Sequence, residues 1–495
     1  MTTAIPGAMP PKQRRIAFAT LFLVEMWERF GYYGMTAVVL LYMVQRLGYT
    51  DDRANLTFGA FTALVYAAPA VGGWIGDRVL GSRRMTVLGA LVLALGYLLL
   101  AIPDGPLFAA LGVVAVGNGL FKANPANLVS KVYEGEPSKI DSAFTLYYMA
   151  VNVGATFSQI LTPLIAIWAG WNAAFGVCAA GMLLSVVNYF LMRRHLAQVG
   201  SPPDFAPLEL KKLAVVLVGA AAAVAFVTVV VQDLGLARMV VWTAAIAILG
   251  IFGILIARGT PQERKGLIAV FVLTAQGILF FIFYQQMSTS LTLFALRNVD
   301  LRFLFGYEIP PGQLQALNPL WIFVLGPIVA WGYGRLARGP GDLSVAAKFA
   351  LGFVVLAAGF FTFGVSGLFA QQGKVSVWWL VGGYGLYSLG EILISGMGLA
   401  MVARYVGPGL RGFVMGLWFL ATGISQYLGS LVATFASVPE AVTDPVQTLP
   451  LYMRLFNGLG GVAVVGAVVA VALLPLMRRL SAADPAPPAE PAPTA

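Results

Sequence analysis

The chain has 495 residues, of which 59% are hydrophobic and only 11% are charged. Soluble domains carry roughly 25% charged residues, so this composition excludes an ordinary soluble protein and predicts an integral membrane protein. The formal net charge of +10 indicates basic cytoplasmic loops rather than a nucleic-acid partner. The single cysteine, Cys178, allows no internal disulfide, and no Cys/His spacing predicts a metal site or a cofactor.

Fourteen apolar segments are long enough to cross a membrane, where a helix needs about 20 mostly apolar residues. The sequence therefore predicts an all-α polytopic membrane protein. The segments lie near residues 16–45, 55–79, 84–102, 107–131, 141–168, 171–193, 210–231, 237–257, 266–297, 314–336, 346–368, 376–405, 411–436 and 452–477.

Two similar segments indicate that the chain contains two related halves. GGWIGDRVLGSRR (72–84) covers the end of the second apolar segment, and GPIVAWGYGRLARG (326–339) covers the end of the tenth. Paired halves that enclose a site near the middle of the membrane are common in transporters. We expect an N-terminal six-helix bundle (1–200), a two-helix insert (201–262), a C-terminal six-helix bundle (263–480) and a disordered Pro/Ala tail (481–495).

The loop charges predict the orientation in the membrane. If the N-terminus is cytoplasmic, most of the 31 Lys and Arg residues fall in cytoplasmic loops or tails. Cytoplasmic loops carry an excess of Lys and Arg, so we expect both termini in the cytoplasm.

A small set of charged residues falls inside the predicted spans. Each would cost about 2.5–3.5 kcal/mol to insert if it faced lipid, so we expect them to face one another or a wet cavity. Helical spacing places Tyr32 and Tyr33 on the same face of the first helix as its two glutamates and its arginine. The charged residues are Glu25, Glu28, Arg29, Lys122 and Glu391.

These charges suit a site that handles protons and binds a zwitterion. Burial favours the neutral form of a carboxyl group, and a neighbouring cation favours the carboxylate. A glutamate whose basic partner moves away is therefore a proton switch. A substrate carboxylate would meet Arg29 and Lys122, and its ammonium group would meet Glu391.

Several stretches resemble one transporter family. EMWERFGYY (25–33) resembles the ExxERFxYY motif of the proton-dependent oligopeptide transporters, within the major facilitator superfamily. The segment 72–84 resembles the general facilitator loop motif after helix 2. Three further runs resemble the family's helices 5, 8 and 11: FTLYYMAVNVGA (144–155), LNPLWI (317–322) and GLWFLATG (416–423).

The resemblance implies a major facilitator fold, with two six-helix bundles and the two extra helices that are typical of bacterial members. It implies a proton-coupled symporter that imports di- and tripeptides by alternating access across the bacterial inner membrane. We expect the lipid-embedded chain to function as a monomer. Proton coupling is implied for Glu25, Glu28, Arg29 and Lys122. Substrate binding is implied for Arg29, Tyr32, Tyr33, Tyr66, Lys122, Asn152, Asn318, Glu391 and Trp418.

The chain departs from the family pattern at two places. Members often carry a glutamate before the Gln in the helix-7 segment, whereas this chain has FIFYQQMSTS with Tyr284 and Gln285. Animal members use a histidine on helix 2, whereas the only histidine here is His195. The buried carboxylates must then handle the protons.

Other functions are weighed against this one. The same scaffold could carry nitrate or a peptide-like metabolite, although nitrate offers no ammonium group to Glu391. An intramembrane enzyme would need a buried histidine or aspartate pair, which the sequence lacks, so we expect no enzymatic activity. A passive facilitator would not need Glu25 and Glu28.

The outer mouth needs a closing contact when the cavity opens inward. Arg53 begins helix 2, and Asp300 follows the end of helix 7. We expect an Arg53–Asp300 ion pair to form the gate there.

Overall fold

The computed structural model describes residues 9–302, 306–337, 343–394, 401–402, 404–439, 442 and 444–481. The predicted Pro/Ala tail lies outside these residues, apart from its first residue. Helices dominate the described chain. Its strands are two dipeptides, β1 (Val299–Asp300) and β2 (Val375–Ser376), which pair in parallel with Val299 opposite Val375.

The first half of the chain forms helices packed around the first one. They are α1 Pro11–Gln45, α2 Asp51–Ala67, α3 Pro69–Ile75, α4 Ser82–Ala101, α5 Leu107–Val132, α6 Pro137–Ala169 and α7 Trp171–Met192. α1 contacts α6 and α7, and α4 packs against α5 and α7. α2, α3 and a turn of π-helix at Gly76–Leu80 form one continuous segment.

Two helices of the insert follow. They are α8 Leu210–Gln232 and α9 Leu234–Arg258. α8 packs against α2 and α5 of the first half. Both helices expose large apolar side chains along one side, among them Val218 and Ile246, as expected for a surface that faces lipid tails.

The second half pairs with the first along two seams. Its helices are α10 Pro261–Gln285, α11 Ser290–Asn298, α12 Leu317–Ala337, α13 Val345–Val365, α14 Val377–Ile394, α15 Pro408–Ala433, α16 Pro445–Ala472 and α17 Leu474–Ser481. α15 packs against α2, and α12 contacts α6. α9 touches α2, α10 and α15, so the insert contacts both halves.

Helix boundaries follow local signals in the sequence. Thr50 and Thr260 accept hydrogen bonds at the first turns of α2 and α10, and Glu263 completes a capping box at α10. Asp233 caps α9 in the same way. Gly170 has a φ of 84°, a conformation that favours glycine, and it separates α6 from α7.

The number of spans agrees with the sequence prediction. Thirteen helical segments of the described chain are long and apolar enough to cross a membrane. α1 is 35 residues long but carries Glu25, Glu28 and Arg29 near its middle. Counted with α1, the described helices agree with the predicted fourteen, which confirms the all-α polytopic architecture.

The connection from α7 to α8 is anchored on the N-terminus of α4 by Asp204. Its carboxylate accepts hydrogen bonds from the backbone N–H groups of Arg83 (3.2 Å) and Arg84 (3.4 Å). The two arginine side chains donate in turn to backbone carbonyls of residues 196–206. Gly81, with a φ of 102°, leaves room for the carboxylate. The charged loop motif thus holds the linker that leads into the insert.

Replacing Asp204 by Ala should lower the midpoint of thermal unfolding in detergent. Two backbone donors at a helix N-terminus would lose their acceptor, and such a cap contributes about 0.5–2 kcal/mol. A matched control is Glu209→Ala, because Glu209 pairs with Lys212 on an exposed surface and such pairs contribute about 0–1 kcal/mol. An Asp204→Ala protein that melts with the wild type would contradict the anchoring role.

Candidate functional site

The charged residues of α1 form one buried cluster with Lys122 of α5. Arg29 binds Glu28 through two hydrogen bonds, of which Nη2 to Oε1 measures 2.5 Å. Arg29 Nε also lies 3.5 Å from Glu25 Oε1. Lys122 Nζ lies 3.3 Å from the same Glu25 oxygen. Two carboxylates therefore meet two cations, and the formal charges of the cluster cancel.

Two further polar side chains complete the cluster. The Tyr147 hydroxyl donates to Glu25 Oε2 at 2.5 Å, and Asn118 Nδ2 lies 3.5 Å from Glu28 Oε1. Sequence reasoning missed Tyr147, although it stands in the helix-5 run at 144–155. Asn118 precedes Lys122 by one helical turn of α5, and this spacing predicts that the two side chains share a polar face of the helix.

Two tyrosines cover the guanidinium group. The Cζ atom of Arg29 lies 5.2 Å from the ring centroid of Tyr32 and 5.8 Å from that of Tyr33. A cation near an aromatic face is stabilised electrostatically, more so where water is excluded. The motif thus supplies both the acids and the rings around Arg29.

A cavity of about 410 Å³ adjoins the cluster through Tyr33. α1, α2 and α6 of the first half line it, together with α10, α12 and α14 of the second half. Five of the predicted binding residues line it: Tyr33, Tyr66, Asn152, Asn318 and Glu391. Tyr148, Gln159 and Tyr284 also line it and were not predicted as binding residues.

The other predicted binding residues lie next to this cavity rather than in its lining. Arg29 and Lys122 belong to the charged cluster. Tyr32 is buried, with its ring centroid 5.6 Å from that of Tyr33. Trp418 is buried behind Phe281, which lines the cavity, with ring centroids 6.1 Å apart.

Glu391 lies on the opposite side of the cavity, in the second half. Asn318 Nδ2 donates to Glu391 Oε2 at 2.6 Å and lies 3.0 Å from Ser388 Oγ. Among the described residues, no cation lies within ion-pair distance of Glu391. A buried acid with one amide partner can bind a cationic group from a ligand.

The predicted Arg53–Asp300 gate is absent from the structure. The Arg53 guanidinium lies 4.1 Å from the ring centroid of Tyr49. Asp300 pairs with Arg302, two residues further along the chain, at 2.9 and 3.0 Å. Hydrogen bonds from Arg302 hold the pKa of Asp300 below its usual value. Both members of the predicted pair therefore have local partners.

A different ion pair joins the two halves at the end of the molecule where α2 begins and α11 ends. Arg297 Nη1 and Nη2 bind the two oxygens of Asp51 at 2.5 and 2.6 Å. Asp51 also accepts from the backbone N–H of Val438, and Arg297 also donates to the Tyr452 hydroxyl. The start of α2, the end of α11 and the helix α16 are thus held together. The ion pair between the two segments is therefore Asp51–Arg297 rather than the predicted Arg53–Asp300, with the acid on α2 and the base on α11.

The two residues at which the chain departs from the family's helix-7 pattern lie at the end of α10, in two different environments. Tyr284 lines the cavity. Gln285 Nε2 donates to Thr62 Oγ1 of α2 at 3.1 Å and to Ser430 Oγ of α15 at 3.0 Å. Gln285 therefore forms an uncharged junction between the halves.

Comparisons with known proteins identify the family. The POT family model matches residues 83–450 of the chain. The chain belongs to the POT family. Dipeptide and tripeptide permease B of Aliivibrio fischeri (strain MJ11) is 43% identical over 455 residues, which cover 91% of this chain and 92% of that permease.

Solved structures of POT proteins have the same fold. The crystal structure of tetrameric PepTSo2 matches with a TM-score of 0.87 and 52% identity, covering 94% of this chain and 99% of that one. A structure reported for substrate recognition in proton dependent oligopeptide transporters matches with a TM-score of 0.86 and 52% identity, covering 94% and 100%. The predicted major facilitator fold is confirmed.

Replacing Asp51 by Asn should open the end of the POT cavity that the Asp51–Arg297 pair closes. Hydrogen bonds to charged groups contribute about 1.5–3 kcal/mol, and the variant weakens two of them. The measurement is the labelling rate of a cysteine at Met287, which lines the cavity, by a membrane-impermeant maleimide in a Cys178→Ala background. We expect faster labelling in the Asp51→Asn variant.

The matched control for this gate is Asp300→Asn, because Asp300 pairs only locally with Arg302. Its labelling rate should equal that of the parent protein. Equal rates in the Asp51→Asn variant and the parent would show that the ion pair does not hold this end closed.

Proposed function

We propose that the protein is a proton-coupled symporter that imports di- and tripeptides by alternating access. The observation that carries this proposal is the placement of a charge-balanced cluster beside a cavity whose other side holds Glu391. Relatives of 43% identity are named dipeptide and tripeptide permeases, which supports this substrate class. The protein would act as a transporter and not as an enzyme.

The proposal extends to the setting of the protein. The chain would lie in the lipid of a bacterial inner membrane with both termini in the cytoplasm, as its basic loops favour. Alternating access would move the N-terminal bundle (1–200) against the C-terminal bundle (263–480), with the insert (201–262) between them. Each chain contains its own cavity, so we propose that the monomer is the transporting unit.

The cluster provides a physical basis for proton coupling. With both acids ionised, Arg29 and Lys122 are neutralised by Glu25 and Glu28. Protonating one acid leaves one excess positive charge beside the cavity, and a peptide carboxylate can neutralise it. Proton and peptide then bind with positive coupling, typically about 1–3 kcal/mol. Release of both to the cytoplasm restores the Glu25–Lys122 pair.

The substrate would span the cavity between the two charged regions. Its carboxylate would face the excess charge of the cluster, near Tyr33, and its ammonium group would bind Glu391 and Asn318. Tyr66 and Asn152 would contact the middle of the peptide. Nitrate would leave Glu391 without a counter-ion, which favours a peptide over the nitrate alternative.

Gradient-driven uptake tests the proposed function. In proteoliposomes, an inward proton gradient should drive accumulation of labelled dialanine by the wild type. Glu25→Gln and Glu28→Gln should each abolish this accumulation but retain counterflow exchange, because a glutamine keeps the shape and loses the titratable group. The matched control is Glu134→Gln, which changes an exposed loop residue.

Two results would contradict these expectations. A wild-type protein that takes up no dialanine under any gradient would overturn the proposed function. A Glu25→Gln variant that still concentrates dialanine would show that protons are coupled elsewhere.

Glu391→Gln should weaken the binding of peptides with a free amino group. A charge-assisted hydrogen bond contributes about 1.5–3 kcal/mol, equivalent to roughly 10- to 150-fold in affinity. The measurement compares dialanine with N-acetyl-dialanine, which has no ammonium group. The wild type should discriminate between the two, and the variant should not. Equal loss for both ligands would indicate that Glu391 supports packing.

A further inference from the structure

Gln159 of α6 lines the cavity and has no role in the function proposed above. Its side chain is only 1% exposed, and its Oε1 atom has no hydrogen-bond partner among the described residues. Tyr148, Asn152, Ala155 and Gln159 line the cavity with helical spacing, so they share one face of α6. Gln159 is the last of them along the helix.

Gln159 lies at the end of the cavity that the structure closes. On α10 and the turn after it, the last lining residue is Met287, which precedes Arg297 of the Asp51–Arg297 pair. The carbonyl of Ile160, the residue after Gln159, accepts a hydrogen bond from Gln313 of the second half at 2.6 Å. Contacts between the two halves of the chain therefore close the cavity just beyond Gln159.

An unpartnered amide at a buried position requires an explanation. Buried polar atoms are nearly always hydrogen-bonded, because an unsatisfied one keeps its full desolvation cost. Methionine would fill a similar volume at this position without that cost. Asn152, by contrast, donates to the Tyr148 carbonyl at 3.0 Å. Among the amides that line the cavity, Gln159 is thus the one whose buried oxygen lacks a partner in the described part of the chain.

We propose that Gln159 is a specificity-determining residue that hydrogen-bonds an amide group of the substrate at the closed end of the cavity. The inference rests on the proposed transport of peptides. A primary amide offers a donor and an acceptor side by side, and it can turn to pair with another amide. A site built around such a group discriminates against hydrocarbon analogues, which leave it unpaired.

Two parts of a peptide carry the required chemistry. One is the primary amide of an Asn or Gln side chain, and the other is the second peptide bond of a tripeptide. Gln159 lies about 10 Å beyond Asn152 along the helix axis. Extended peptides cover about 3.3–3.6 Å per residue. A substrate whose middle lies at Asn152 thus approaches Gln159 only through a third residue or a long side chain that points toward the closed end.

The test compares substrate preferences of the wild type and Gln159→Met in proteoliposomes. One arm measures kcat/KM for Ala-Gln and Gln-Ala against Ala-Leu and Leu-Ala. The other arm measures trialanine against dialanine. Loss of one neutral hydrogen bond should lower the preference for the amide-bearing substrate by roughly 3- to 10-fold. A change in the first arm identifies the side-chain amide, and a change in the second identifies the peptide bond.

The matched control is Thr162→Val, because Thr162 is fully buried on the same helix and outside the cavity lining. It should leave both preferences unchanged. If Gln159→Met alters neither ratio, or lowers transport of all substrates equally, the inference is overturned. Failure of the wild type to transport dialanine would overturn the proposed function itself and this inference with it.

Discussion

The structure depends on the neutralisation of charges that lie inside a membrane. An unpaired ion in this environment is costly, so Glu25 and Glu28 require Arg29 and Lys122 within about 4 Å. The pairing makes the cluster sensitive to a single proton, because removing one negative charge exposes a positive one. In the proposed mechanism, the stability of the buried charges and the coupling to protons are therefore two consequences of one arrangement.

Glu391 differs from the cluster because its described partner, Asn318, is uncharged. Glu391 therefore lacks a cation among its described partners. The cluster lacks an anion once one of its acids is protonated. A zwitterion satisfies both at once. For the proposed function, this asymmetry favours a short peptide over a simple anion and assigns the two ends of the peptide to different halves of the chain.

The charged part of the site could be predicted from the sequence because charged residues in apolar helices have few alternatives to pairing. Tyr66, Asn152 and Asn318 of the cavity lining came only from the family resemblance. The sequence did not show which of two neighbouring side chains faces the cluster and which faces the cavity. On a helix they point about 100° apart, so the sequence could not tell that Tyr147 reaches Glu25 and Tyr148 the cavity. Asp51 and Arg53, two residues apart at the start of α2, posed a similar problem. Gln159 gave no signal, since its proposed role depends on the partner that it lacks in three dimensions.

In the proposed mechanism, peptide binding draws a proton into the cluster. Calorimetric titration of the wild type with dialanine, in buffers of different ionisation enthalpy, measures the protons taken up on binding across about pH 5 to 8. We expect a net uptake that approaches one proton per peptide where both acids are ionised, and a smaller uptake in Lys122→Gln. A binding enthalpy that is independent of the buffer at every pH would contradict it.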